Sequence, residues 1–321
     1  MILMCIFCFW IGIPTYAADE IQSSVAGVPV FEEGDVIGFI GDSITHAQYI
    51  SVNYVDTLYQ YYLTEDPERK IEFRNIGTSG YKASDVLHIY DKDPAFQGIN
   101  KAVIMLGTNE AILRTPTESY IANLQMLIER LKADGLQGKD ILILTPPICD
   151  EIYASNEAYA FEEEVLGYVE ALTESTLEWG VKFLDIHTPM VELTQERRSQ
   201  NSKSTLTVGD AIHPSAEGQK WIAYYILQAQ GILEKNSAIF REEDKQLQQD
   251  MQPLKNLIKD WHQATESYRK MWIEVMMRRA SFTETQIRER YDNWRVKEEA
   301  IREKIYQAAR QLVESGPDNG E

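Results

Sequence analysis

Five short apolar runs constrain this chain more than any other feature of its sequence. They lie at 36–40, 71–76, 102–106, 141–144 and 181–186, each is followed by a segment that can carry a helix, and none is joined to the next by a hairpin signal. Strands that alternate with helices are expected to run parallel, because a parallel partner is reached only through a crossover connection. Helices are expected over 49–63, 83–90, 117–132, 158–179, 189–198 and 215–230. The one at 117–132 sets Ile121, Leu124, Leu127, Ile128 and Leu131 on one side. The run Ala102-Val103-Ile104-Met105-Leu106 is apolar on both faces, as a central parallel strand is. Crossovers in such a sheet are right-handed. A flavodoxin-like order, 2-1-3-4-5, puts strand 1 beside the topological switch, where open α/β sheets take their ligands.

The texture changes beyond Gly231-Ile232. Residues 233–321 carry 16 Lys and Arg against 17 Asp and Glu, whereas nearly all of the chain's net charge of −19 falls on 1–232. From 233 to 313 there is one Pro (Pro253) and no Gly, and large residues recur at helical spacing, among them Leu254, Leu257, Ile258, Trp261, Tyr268, Trp272 and Met276. This predicts a domain over 18–232 and a charged extension of two to four helices over 233–321, one of them starting at Ser281 or Thr283 as cap. The extension reads either as an interaction or oligomerisation element or as packing on the main domain; its heptads are too irregular for a coiled coil. The acidic balance argues against nucleic acid or an anionic membrane surface as partner.

The first 13 residues are almost wholly apolar and are followed by Pro14 and the pair Ala17-Ala18. That run is too short to span a bilayer and reads as a signal peptide over 1–17, although no Lys or Arg precedes it. It implies a secreted or periplasmic protein without stable membrane insertion. Cys5 and Cys8 would leave with it; Cys149, the remaining cysteine, reads as packing. No Cys and His spacing resembles a structural zinc site.

Strand 1 ends abruptly in Gly41-Asp42-Ser43, which places a serine hydroxyl at the carboxyl end of a buried strand. Three further stretches fall on the same rim: Asn75 to Gly80 after strand 2, Gly107-Thr108-Asn109 after strand 3, and Asp210-Ala211-Ile212-His213 beyond strand 5. Their chemistry is complementary. Ser43 can attack a carbonyl if His213 takes its proton, and Asp210 can hold the other imidazole nitrogen. The N–H groups of Ser43 and Gly80 and the side-chain amide of Asn109 can serve as oxyanion donors. Asp42 is read as bracing the turn rather than as the triad acid. His46 could line the pocket, lie at the surface or serve as a cap, and His88 and His187 read as structural.

These four stretches resemble the sequence blocks of the SGNH hydrolases, also called GDSL-type esterases and lipases. The resemblance covers about 34–232. It matches Ser43 to the nucleophile, Gly80 to the oxyanion glycine with Gly77 as second candidate, Asn109 to the third block, and Asp210 and His213 to the last. It implies a three-layer α/β/α sandwich, no metal or organic cofactor, and hydrolysis of an ester or thioester through an acyl-enzyme. The expected protein is an exported serine esterase acting on a small acyl ester, with an O-acetyl group on a carbohydrate as the candidate substrate. A lysophospholipase, a thioesterase, or a non-catalytic module binding a glycan or partner are the alternatives. The loops at 146–160 and 199–209 are the expected substrate contacts.

Overall fold

The computed structural model describes residues 28–50, 53–151, 161–233 and 245–314. The expected signal peptide lies outside them, as does 152–160 of the first substrate loop.

Five parallel strands, β1 (Val36–Gly41), β2 (Glu72–Asn75), β3 (Lys101–Met105), β4 (Ile141–Leu144) and β5 (Lys182–Leu184), form one sheet in the order β2-β1-β3-β4-β5. The parallel sense is the one expected from the alternation, and the order is the flavodoxin-like one that the family resemblance implies. Phe39 stands beside Asn75 on one side and Val103 on the other, and Ile143 lies between Ile104 and Phe183. Successive side chains point to opposite faces, so Phe39, Val103, Leu142 and Leu184 enter one core while Ile40, Ile104 and Ile143 enter the other.

The helices between and after the strands are α1 (Ser43–His46), α2 (Tyr54–Glu65), α3 (Ala83–Ile89), α4 (Thr108–Ile112), α5 (Thr117–Ala133), α6 (Glu162–Trp179), α7 (His187–Gln200) and α8 (Ala216–Ala229). The first core takes apolar residues of α2 and α8, the second those of α3, α5 and α6. The sheet is therefore sandwiched between helical layers.

One expected helix starts later than its apolar spacing suggests. The segment read as 49–63 starts at Tyr54 instead, because Asn53 and Asp56 form a reciprocal capping box, with Asp56 N donating to Asn53 Oδ1 at 2.9 Å and Asn53 N to Asp56 Oδ2 at 3.0 Å. The preceding α1 stops at Ala47, whose φ of 51° is left-handed. Tyr49 is thereby released from any helix.

The extension forms α9 (Lys245–Asp250), α10 (Gln252–Met276) and α11 (Glu284–Glu314). Thr283 caps α11, its Oγ1 accepting from Gln286 N and its own N–H donating to Gln286 Oε1. Met251, Leu254, Ile258, Trp261 and Ile305 belong to the first core, and Tyr268, Met271, Trp272, Ile287 and Trp294 to the second. The extension thus packs into both cores and covers the β2 side of the sheet, where an unprotected edge strand would be a template for aggregation. There Tyr306 Oη donates to Ile71 O at 2.7 Å, and Arg74, Arg295 and Arg302 surround the Glu72 carboxylate. Burial alone would push Glu72 up, but those guanidinium groups bring it down to about 2. Among the described residues no helix is long and apolar enough to cross a membrane.

Candidate functional site

At the carboxyl end of β1 the chain turns through Asp42 into α1. Asp42 is buried and its Oδ1 accepts the N–H of Ile44 at 2.9 Å, an N-cap that orients the turn bearing Ser43. Burial, with the nearby Glu110 carboxylate adding to it, pushes Asp42 up to about 7. Glu110 is itself raised to about 7, chiefly by burial, while its Oε1 accepts from Ala83 N at 2.7 Å.

Ser43 Oγ lies 2.7 Å from His213 Nε2, and His213 Nδ1 lies 2.6 Å from Asp210 Oδ2. A carboxylate can only accept, so Nδ1 carries the proton and Nε2 is left to accept from the serine hydroxyl. Burial would raise Asp210, but the backbone N–H and imidazole of His213 and the N–H of Ile212 hold it below its usual value.

Several groups that carried no sequence signal support this chain. Tyr49, expected in a helix, instead packs its ring against the His213 imidazole with centroids 4.6 Å apart and donates from Oη to Pro214 O at 3.1 Å. Gln219, fully buried on α8, donates to Tyr49 Oη at 2.7 Å and to Ile44 O at 3.2 Å, joining the serine turn to the histidine loop. Asp150 donates its N–H to Ala211 O at 2.8 Å, and its carboxylate takes the Arg198 guanidinium and the Thr205 hydroxyl. The segment 199–209, expected to meet substrate, thus helps to hold the loop of Asp210 and His213: Ser215 N donates to Leu206 O at 2.7 Å, and Val208 N to His213 O at 2.8 Å. Sequence spacing carries no sign of these links because the partners are far apart in the chain.

The turn 77–80 approaches the same rim. Thr78 N donates to Gly41 O at 3.0 Å, two residues before Ser43. Gly77 packs so closely on α1 that a Cβ there would sit 2.4 Å from His46 N, a reason for glycine that concerns packing. Gly80 has φ +83°, a conformation that suits glycine and would strain other residues. Asn109, on α4, donates from Nδ2 to Tyr81 O at 2.9 Å and so ties the third block to the second. Among the described residues the N–H groups of Ser43 and Gly80 meet no acceptor of the chain. No backbone hydrogen bond joins Gly80 to Ser43 directly; the two are related through Thr78 and Gly41.

The other histidines lie outside this hydrogen-bonded chain. His46 is buried, its Nδ1 lies 3.0 Å from Ser79 Oγ, and burial pulls it down to about 3, so it is neutral. His187 pairs with Glu162 at 2.8 Å, and His88 lies 3.1 Å from Lys92 Nζ. Cys149 is buried, and burial pushes its thiol up to about 12, which keeps it in the neutral thiol form.

Ser43, His213 and Asp210 thus form one hydrogen-bonded chain at the carboxyl rim of a parallel 2-1-3-4-5 sheet. The model of the GDSL-like lipase/acylhydrolase family matches residues 39–221, and the chain belongs to that family. It is 25% identical over 172 residues to a Bos taurus isoamyl acetate-hydrolyzing esterase 1 homolog, a match over 48% of this chain and 66% of that relative, just under two thirds of its length. Among solved structures, a gut microbial diltiazem-metabolizing enzyme superposes with a TM-score of 0.64 at 18% identity, covering 90% of this chain and 95% of its own. An acetylxylan esterase from Geobacillus stearothermophilus superposes with a TM-score of 0.52 at 22% identity, covering 64% of this chain and 97% of its own.

Proposed function

We propose that this protein is a serine esterase that hydrolyses small acyl esters through an acyl-enzyme. The observation that carries the reading is the chain from Ser43 Oγ through His213 to Asp210, with contacts of 2.7 and 2.6 Å. In the first step Ser43 Oγ attacks the ester carbonyl while its proton passes to His213 Nε2. The resulting imidazolium is stabilised by the Asp210 carboxylate. The developing oxyanion is received by the N–H groups of Ser43 and Gly80 and by the Asn109 amide, which retains one N–H beyond its bond to Tyr81 O. Collapse of the tetrahedral intermediate expels the alcohol, which takes its proton from Nε2. Water then attacks the acyl-serine, giving its proton to the same nitrogen, and the acid leaves as Ser43 is regenerated.

For the substrate we favour an acetyl ester, and a carbohydrate O-acetyl ester in particular. Two of the similar proteins, an isoamyl acetate-hydrolyzing esterase homolog and an acetylxylan esterase, support it. The test is a panel of p-nitrophenyl acetate, longer acyl esters and acetylated xylo-oligosaccharides, run with wild type and Ser43→Ala. Acetyl esters should be turned over fastest. Loss of the nucleophile should remove at least about 10³-fold of the activity. Undiminished turnover by Ser43→Ala would exclude this mechanism, and preference for long acyl chains would exclude the substrate class.

A further inference from the structure

The turn that presents Gly80 is held from beneath by the extension. Arg269 on α10 is 1% exposed, and so is Asp93, with which it pairs. Arg269 Nε donates to Gly77 O at 3.3 Å and to Thr78 Oγ1 at 3.2 Å, and Nη2 donates to the same hydroxyl oxygen. Asp93 also accepts from Tyr268 Oη at 2.6 Å and from Ala95 N at 3.0 Å. Farther along α10, Trp272 O accepts from Tyr81 Oη at 2.9 Å. A Cβ placed on Gly80 would lie 3.1 Å from Met276 Cε. Three successive turns of α10 therefore touch the segment 77–81.

Burying a guanidinium is costly even when it is paired, and replacing a buried ion pair with apolar residues is often neutral or stabilising. Stability alone is thus a weak reason for a charge at 269. What the charged fork does supply is direction, since a planar guanidinium fixes two acceptors and a carboxylate in one geometry. Its acceptors are Gly77 O and Thr78 Oγ1, and Thr78 N is bonded to Gly41 O beside the serine turn.

We infer that Arg269 is a positioning residue for the oxyanion site, clamping the turn 77–80 so that the Gly80 N–H stands in register with Ser43. This rests on the esterase reading above. It makes the helical extension part of the catalytic apparatus, although no residue of α10 need touch the reacting atoms.

The test uses the full chain with Arg269→Lys, which keeps a charge for Asp93 but loses the fork, and Thr78→Val, which leaves the buried ion pair whole and removes the hydroxyl acceptor. Each is compared with wild type for kcat and KM on p-nitrophenyl acetate and for the rate of phosphonylation by a fluorophosphonate, at temperatures where circular dichroism shows full folding. Displacing a catalytic donor by an ångström or less costs about 10- to 100-fold in rate. We therefore expect kcat to fall by about that factor, KM to stay nearly constant because the contact strengthens only in the transition state, and phosphonylation to slow in parallel. Thr78→Ser, which restores the oxygen, should recover most of the loss. Should Arg269→Lys fail to fold, Thr78→Val decides. Wild-type kcat and phosphonylation in folded Thr78→Val would overturn the inference alone. A wild-type chain that hydrolyses no ester and takes no probe would overturn the esterase reading, and this inference with it.

Discussion

Asp210 holds His213 at two points, its Oδ2 lying 2.6 Å from the imidazole Nδ1 and its Oδ1 accepting the backbone N–H at 3.0 Å. The backbone contact sets the loop, and the ring contact sets the tautomer. Asp210→Asn separates the two, because an amide oxygen can still accept the backbone N–H while its NH2 group cannot accept from Nδ1. Nε2 would then carry the proton and could no longer receive the one on Ser43. We expect kcat on p-nitrophenyl acetate to drop by about 10²- to 10⁴-fold, with an unchanged circular dichroism melt. A kcat within a few-fold of wild type would remove Asp210 from the mechanism.

Gly80→Ala tests backbone geometry at the proposed oxyanion site. A non-glycine residue in the left-handed region costs about 1–2 kcal/mol, and here the new methyl also meets Met276. Gly98 has a similar φ of +75° with open space around it, so Gly98→Ala carries the strain away from the site. Both variants should lose stability, but Gly80→Ala should also lose about 100-fold in kcat. Equal activity in the two would show that Gly80 is needed only for folding.

Asp42 and Glu110 make stability depend on pH. Each is raised to about 7 in the folded chain, chiefly by burial, against roughly 4 when unfolded. Between those values the folded state holds protons that the unfolded state has released, so stability falls as pH rises across the window. In His187 and His262 burial pulls downward, but Glu162 and Asp56 more than offset it and leave both raised. Their stabilisation is present below the unfolded value near 6.5 and is lost as pH rises through the folded one. His46, pulled down to about 3, works the other way below about 6.5. The two raised carboxyls outweigh it, so the melting temperature should climb as pH is lowered from about 8 toward 5. Glu110→Gln, which removes one titrating group and a charge that raises the other, should flatten that slope. An unaltered slope would contradict the assignment.

Trp261 measures how firmly the extension is bound to the fold. It is fully buried, packs on Tyr59 with ring centroids 5.3 Å apart, and donates from Nε1 to Glu298 Oε1 at 3.2 Å. Trp261→Ala should cost about 3–5 kcal/mol in chemical denaturation. Unfolding should remain a single transition, because α10 contributes to both cores. A separate early transition would mean that the extension melts by itself.

The strands and their parallel sense were legible because their cues are local: apolar runs such as Ile141 to Leu144, helical periodicity between them, and no hairpin turns. The motifs bearing Ser43, Gly80, Asn109, Asp210 and His213 could be named for the same reason, since each is a few residues long and sits after a recognisable strand. Capping was harder to read. The Asn53 and Asp56 box moved a helix start by several residues and freed Tyr49 to reach His213. Long-range partners could not be read at all. Whether the helices beyond 233 stand apart or pack on the sheet depends on which apolar face meets which, and periodicity reports only that such a face exists. Folding settled it by setting Trp261 and Trp272 into opposite cores and Arg269 under the turn that carries Gly80, a juxtaposition of residues more than 180 positions apart.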